Sequence, residues 1–179
     1  MDRRQKKTRQ AIVSAFGKLL ERKPYESITV QEIIDEANIG RSTFYAHFET
    51  KDELLRSMCT DIFNHVFNES LPKEAEYSSG MKNLELKLGH ILYHLDEHRR
   101  ELKAILSGDS SRLFMSFFRG YLMELFEGYA NDFGTDVPRD YLLNHLVSGF
   151  GETARWWLTE KNGYSPEEIA GFYMRLTEK

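Results

Sequence analysis

Three features of this 179-residue sequence predict an all-α fold. Apolar residues recur at intervals of three and four along most of its length. Three segments open with a helix-capping pattern, TVQE, TKDE and SPEE. No run of useful length alternates apolar and polar residues as a half-buried strand does. The 41% hydrophobic and 29% charged content is that of a globular protein able to bury a core. No apolar run approaches the roughly 18 residues of a membrane span, and MDRRQKKTRQ lacks the apolar block of a signal peptide. The single cysteine, Cys59, excludes an intrachain disulfide framework. A cytoplasmic protein with no membrane partner is expected.

The first helix runs through TRQAIVSAFGKLLERK, with Ile12, Phe16, Leu19 and Leu20 at helical spacing, and Pro24 stops it. Thr29 caps the second, with Glu32 reaching back, and Val30, Ile33, Ile34 and Ala37 face inward. Asn38 suits a left-handed turn after it. A short helix follows from about Gly40 to His47, anchored by Phe44 and Phe48. Thr50 to Glu53 form a second capping box, opening a helix through Leu54, Leu55, Met58, Ile62, Phe63, Val66 and Phe67. The polar stretch 68–80 reads as a loop, and helices are predicted over 81–97, 99–107, 110–132, 138–160 and 166–177. A boundary near residue 65 divides the chain into domains of 5–65 and 66–179.

Two short helices joined by a tight turn, at about 28–47, form a helix-turn-helix, whose second helix can enter a DNA major groove. The composition of that helix agrees. Arg41 can pair with guanine, Ser42 and Thr43 can bond bases or phosphates, and no acid occurs from Ala37 to Phe48. Helix starts at Thr29 and Thr50 present N–H groups suited to phosphate oxygens, with Lys51 beside the latter. Net charge is −4, yet residues 1–60 hold 11 Lys and Arg against 9 Asp and Glu, while 61–179 hold 13 against 19. Arg3, Arg4, Lys6, Lys7 and Arg9 make a basic N-terminal arm. One end is thus suited to a polyanion.

The stretch ITVQEIIDEANIGRSTFYAHFETKDELL resembles the DNA-binding segment of TetR/AcrR-type bacterial transcriptional regulators, through Thr29, Ala37, Thr43, Phe44, Tyr45, His47, Phe48 and Lys51. Asn38 stands where that family usually has glycine, Gly40 replaces a serine cap, and Ser42 a common glycine. The resemblance implies an N-terminal three-helix DNA-binding domain followed by a helical domain for dimerisation and effector binding. It implies phosphate contacts from Tyr45 and Lys51 and base reading near Arg41 to Thr43. Thr29, His47, Arg3 and Arg4 complete the expected DNA contacts. The expected partners are an inverted-repeat operator, a second copy of the chain and a small-molecule effector that relieves repression. A co-activator whose C-terminal domain docks a protein is the alternative.

In the 138–160 helix, Leu143, Leu146, Val147, Phe150, Ala154, Trp157 and Leu158 form one stripe, and Leu142, His145, Gly149, Thr153 and Trp156 a second. One helix with two such faces needs two partners, and the second stripe suits another subunit. The last helix has a clean start at Ser165, Pro166 and Glu168. Its expected main stripe is Ile169, Phe172, Tyr173 and Leu176, with Ala170 and Met174 on the subunit-facing side. Phe114, Phe117, Phe118 and Tyr121, with Phe63, Phe67 and Tyr93, are the candidates for an effector pocket. His90, His94 and His98 recur every fourth residue, but no cysteine or acid cluster completes a metal site. No nucleophile–base pair and no phosphate-cradling glycine loop occurs. Neither an enzyme nor a cofactor is expected.

Overall fold

The computed structural model describes residues 3–68 and 80–177, and among them there are helices and turns but no strand. The loop expected over 68–80 falls, apart from its end positions, outside the described residues, as does the Val66 side chain. The helices are α1 (Arg3–Leu20), α2 (Val30–Ala37), α3 (Arg41–Tyr45), α4 (Lys51–Asn68), α5 (Gly80–Glu97), α6 (Arg99–Leu106), α7 (Ser111–Glu127), α8 (Arg139–Thr159) and α9 (Pro166–Thr177). Two 3-10 turns stand at Tyr25–Ser27 and Ala130–Phe133. No helix among the described residues is long and apolar enough to cross a membrane.

The chain forms two compact units, and the first takes in more than the N-terminus: Met1–Asp61 together with Arg100–Phe114. Its core joins Ile12, Phe16 and Leu20 of α1, Ile33 of α2, Phe44 of α3, Leu54, Leu55 and Cys59 of α4, and Leu102 and Ile105 of α6. Arg9 ties α1 to α4, donating to Ser57 and to Asp61 at 2.8 Å. Lys18 of α1 and Arg22 just beyond its end meet Glu36 of α2 at 3.7 and 3.2 Å.

The second unit is Ile62–Arg99 with Met115–Lys179. Here α9 packs along α5 and also touches α8. Phe126, Phe150 and Tyr173 form an aromatic cluster, with Tyr173 donating its hydroxyl to the Leu146 carbonyl at 2.7 Å. Trp157 fixes the α8–α9 connection by donating to the Tyr164 carbonyl at 3.0 Å. The Arg99 guanidinium lies over its ring, 4.2 Å from the ring centre.

Two expectations need correction. The helix predicted over 110–132 ends at Glu127. The N–H groups of Gly128 and Tyr129 turn back three residues, to Leu125 and Phe126, and glycine in a helix interior costs about 1 kcal/mol. In α9 the buried face is displaced: Ala170 and Met174 are core, while Phe172 and Leu176 are exposed, Leu176 by 87%. The face is set by packing along α5, where Gly89 lies under Ala170 and even an added Cβ would make only an ordinary contact of 3.8 Å.

Candidate nucleic-acid interface

The geometry of the helix-turn-helix begins at Thr29. Its hydroxyl accepts from the Glu32 N–H at 3.3 Å, and the Glu32 carboxylate accepts from the Thr29 N–H at 2.9 Å, a complete capping box. The Lys23 ammonium, followed by Thr29, holds the Glu32 carboxyl down at about 2. At its far end α2 closes on Asn38, at φ 50° and ψ 53°. The Ile39 N–H reaches back to the Ile34 carbonyl at 3.2 Å and that of Asn38 to Asp35 at 3.1 Å, a Schellman closure. Asparagine tolerates this conformation, so the turn forms without the usual glycine.

Gly40 then starts α3 without a side-chain cap, and Phe44 and Phe48 hold the short helix to the core. Around these anchors Arg41, Ser42 and Tyr45 are exposed and Thr43 is half-buried. Arg41, Ser42 and Thr43 make no side-chain hydrogen bond to any described residue. Tyr45 sets its ring edge-on to Phe44, at 5.4 Å between centres, leaving its hydroxyl in solvent. His47 is half-buried, its ring 6.4 Å from that of Phe48. These five side chains therefore stand on a stretch of seven residues whose hydrogen-bonding capacity is unspent.

Arg3, Arg4, Lys6 and Lys7 are exposed on the first turns of α1, where no acid offsets them. Arg9 is the exception in the basic run, since it is engaged with α4.

Lys51 is placed differently from expectation. Its ammonium is turned inward, donating to the carbonyls of Tyr25 at 2.9 Å and Ile28 at 2.8 Å, and lies over the Tyr25 ring at 4.2 Å. Burial pushes its pKa down against the pull of Asp52 and Glu26. It braces the turn before α2. Thr29 likewise has its hydroxyl tied up in the cap. The second capping box is also modified: Thr50 accepts from the Glu53 N–H at 3.1 Å, but the Glu53 carboxylate takes the N–H of Glu49 instead of Thr50. Tyr25 belongs to the same support: it is buried and donates its hydroxyl to Asp52. An aromatic residue directly after a helix-stopping proline is the signal that marked it.

The second unit carries the other candidate faces. On α8, His145 and Trp156 are exposed and Leu142, Gly149 and Thr153 half-buried, on a face beside the main core stripe. Phe172 and Leu176 add apolar surface on α9, and Tyr164 packs edge-on against Phe172 at 5.2 Å. Of the pocket candidates, Phe63, Phe67, Phe118 and Tyr121 pack ring against ring. Phe63 and Phe118 are 5.3 Å apart and nearly parallel, and Tyr121 donates to Asn64 at 2.9 Å. Phe117 is half-buried beside them in sequence, while Phe114 is buried in the first unit. Tyr93 lines an open cleft of about 490 Å³ with Lys82, Glu85, Leu86, Gly89, His90 and Glu167. Among the described residues no group of three His, Cys, Asp or Glu side chains is arranged to hold a metal.

Comparison with known proteins agrees with this geometry. Residues 12–58 match the family model described as bacterial regulatory proteins of the tetR family. Residues 82–179 match one described as a transcriptional regulator C-terminal region. A TetR transcriptional regulator from Streptococcus agalactiae 2603V has the same fold, at 34% identity and a TM-score of 0.79, over 99% of this chain and 97% of that one. The HTH-type transcriptional regulator YxbF of Bacillus subtilis (strain 168) is 38% identical over 93 residues, 49% of this chain and 24% of that protein. The dhaKLM operon transcriptional activator DhaS of Lactococcus lactis subsp. lactis (strain IL1403) is 33% identical over 92 residues, 51% of this chain and 45% of that protein. The matches to these two curated relatives thus span less than half of either relative's length. With the capped α2, the left-handed turn and the uncommitted face of α3 in place, the chain is a member of the TetR family of bacterial regulatory proteins, DNA-binding regulators of transcription.

Proposed function

We propose that the chain works as a homodimer that reads an inverted-repeat operator with two copies of α3 and represses until a small molecule releases it. One observation carries the DNA reading. Phe44 and Phe48 hold α3 down, while Arg41, Ser42, Thr43 and Tyr45 keep their polar groups for an external partner. Arg41 pairs with guanine, Ser42 and Thr43 meet neighbouring base edges, and Tyr45, His47, Arg3 and Arg4 hold phosphates. Thr29 serves these contacts by fixing the start of α2.

A single α3 reaches only a few base pairs, so useful specificity needs two half-sites. The face that pairs the copies combines Leu142, His145, Gly149, Thr153 and Trp156 of α8 with Phe172 and Leu176 of α9. These two residues take the place first given to Ala170 and Met174. The cleft at Tyr93 has the size of a small-molecule site and offers an ammonium, a phenol and two carboxylates around an apolar floor. Release follows if the effector binds more tightly to a conformation whose α3 helices no longer match the operator.

Selection of the full-length protein on random duplexes tests the reading. A two-fold symmetric consensus, with half-sites centred about 34 Å apart or somewhat more, and a dimer in sedimentation support it. Binding without any enriched sequence refutes it. The word activator in the name of DhaS supports a second reading, in which the same DNA contacts recruit transcription and a docked protein replaces the small effector. A reporter driven by the selected duplex separates the two by its sign.

A further inference from the structure

The 3-10 turn Tyr25–Ser27 stands between α1 and the capped start of α2, and other segments of the first unit hold it. Lys51 of α4 donates to the carbonyls of Tyr25 and Ile28, and Asp52 accepts from the Tyr25 hydroxyl. Glu26 instead reaches to the corner between α6 and α7, where its Oε1 accepts from the Ser110 N–H at 3.2 Å. The Ser110 hydroxyl lies 3.2 Å from the same oxygen and 2.7 Å from the Ile105 carbonyl. A hydroxyl has one proton and the shorter contact takes it, so the bond that holds Glu26 is the amide's. Ser110 directly precedes α7, whose own first turn has no acid. Glu26 therefore supplies from elsewhere in the chain the negative charge that a helix start favours.

Gly108 completes the seat. A Cβ at 108 would collide with Oε1 of Glu26 and lie 2.6 Å from Oε2. The carboxylate can rest on Ser110 only because position 108 has no side chain. Burial pushes the Glu26 carboxyl up, but hydrogen bonds from its own backbone and from Ser110, with the charge of Lys51, outweigh it and bring it below the usual glutamate range. It is ionised at neutral pH.

We propose that Glu26 is a positioning residue for DNA binding. Seated on Ser110 beside Gly108, it ties the α6–α7 corner to the segment that starts the helix-turn-helix, and movement of the corner displaces α2 and α3. This rests on the reading of α3 as the element that meets DNA. The corner is where the chain enters α7, whose turns from Met115 onward belong to the second unit. A change arising in that unit has, through α7, a covalent route to Ser110 and from there one hydrogen bond to Glu26.

Alanine at 108 is the informative variant. The atoms it would strike are the far end of a flexible side chain, so it turns Glu26 out and leaves the fold intact. The test compares full-length wild type, Gly108→Ala, Glu26→Ala, the double variant and Glu26→Gln. Hydrogen exchange is followed over 28–45 and, as an internal control, over α8. Affinity is measured for a duplex recovered by selection with the wild type. Each alanine variant should speed exchange over 28–45, leave α8 unchanged and weaken the duplex by about tenfold. The double variant should be no worse than either, because Gly108→Ala has nothing to evict once Glu26 is gone. Glu26→Gln, which keeps an oxygen for the Ser110 amide, should recover most of the affinity. Additive single effects, faster exchange throughout α8, or unchanged affinity would each overturn the proposal. If the wild type enriches no duplex, the premise about α3 falls, while the exchange cycle still shows whether Glu26 ties the corner.

Discussion

Replacing Lys51 with alanine discriminates most sharply between a residue that holds DNA and one that holds the fold. Its ammonium serves two carbonyls, those of Tyr25 and Ile28, whose residues are 6% and 2% exposed. Without it the Tyr25 carbonyl keeps the Ile28 N–H at 3.1 Å, but the Ile28 carbonyl loses this donor, at about 1–3 kcal/mol when water cannot replace it. The charge over the Tyr25 ring adds about 0.5–1 kcal/mol. Against this, alanine removes a half-buried cation from the start of α4, where the helix dipole disfavours it by about 0.3–1 kcal/mol. The net loss is about 2–3 kcal/mol, which in a chain of this size lowers the melting temperature by roughly 5–10 °C. Unfolding of wild type, Lys51→Ala and Lys51→Met, followed by circular dichroism in heat and in urea, measures it. Methionine keeps the stem over the ring and should recover part of the loss. The salt dependence of binding to random duplex should hold its slope, whereas a lost phosphate contact would reduce it by about 0.9. An unchanged melting temperature with a slope reduced by about one would refute the bracing role.

Other outcomes follow from the same geometry. Arg41→Ala should cost about 1–3 kcal/mol of discrimination at one position per half-site; equal weakening on selected and random duplex would mean that Arg41 touches only backbone. Trp156→Glu should place two unpaired charges in a symmetric contact and yield monomers in sedimentation, a loss of several kcal/mol. A dimer that survives this change places the interface elsewhere. Gly149→Ala is a milder probe, because the new Cβ would meet Tyr173 of its own chain at 3.5 Å, an ordinary contact; dimer weakening there reports close approach by the second copy. Burial pushes the Cys59 thiol up to about 12, and that of Tyr173 raises its phenol as well. A group raised on folding gives its full stability below its unfolded pKa and loses it as pH rises towards the folded value. Cys59 should therefore contribute a loss of about 1.4 kcal/mol per pH unit above roughly pH 8.5–9, which Cys59→Ala should abolish in urea titrations from pH 7 to 10. A pH profile unaltered by that substitution contradicts the assignment.

Local chemistry was the part of the fold that the amino acids declared openly. The caps at Thr29 and Ser165 and the left-handed Asn38 each depend on three or four adjacent residues, and each is present. So is the core stripe of α8, because seven apolar positions over four turns leave one solution. What escaped depended on partners distant in the chain. The face that α9 buries is chosen by its packing along α5, some eighty positions earlier, and no periodicity within α9 carries that information. Lys51 looked like a phosphate ligand because its neighbours are acids and a helix start, while the carbonyls it serves lie 23 and 26 residues away. The aromatic run suggested a cavity, but volume depends on how rings stack, and the parallel packing of Phe63 on Phe118 is a detail that no spacing in the sequence specifies.

The helix proposed to read DNA, α3, is five residues long, far too short to be helical by itself. Its shape is imposed by Phe44 and Phe48, which face the core. Arg41, Ser42 and Tyr45 face outward and give the core little. Changes at these outward positions therefore leave the folding equilibrium nearly untouched while redrawing the sequence preference. Such a division lets a duplicated copy acquire a new target by single substitutions, with each intermediate still folding. It also sets a practical rule for redesign: vary 41, 42 and 45, and leave 44 and 48 alone.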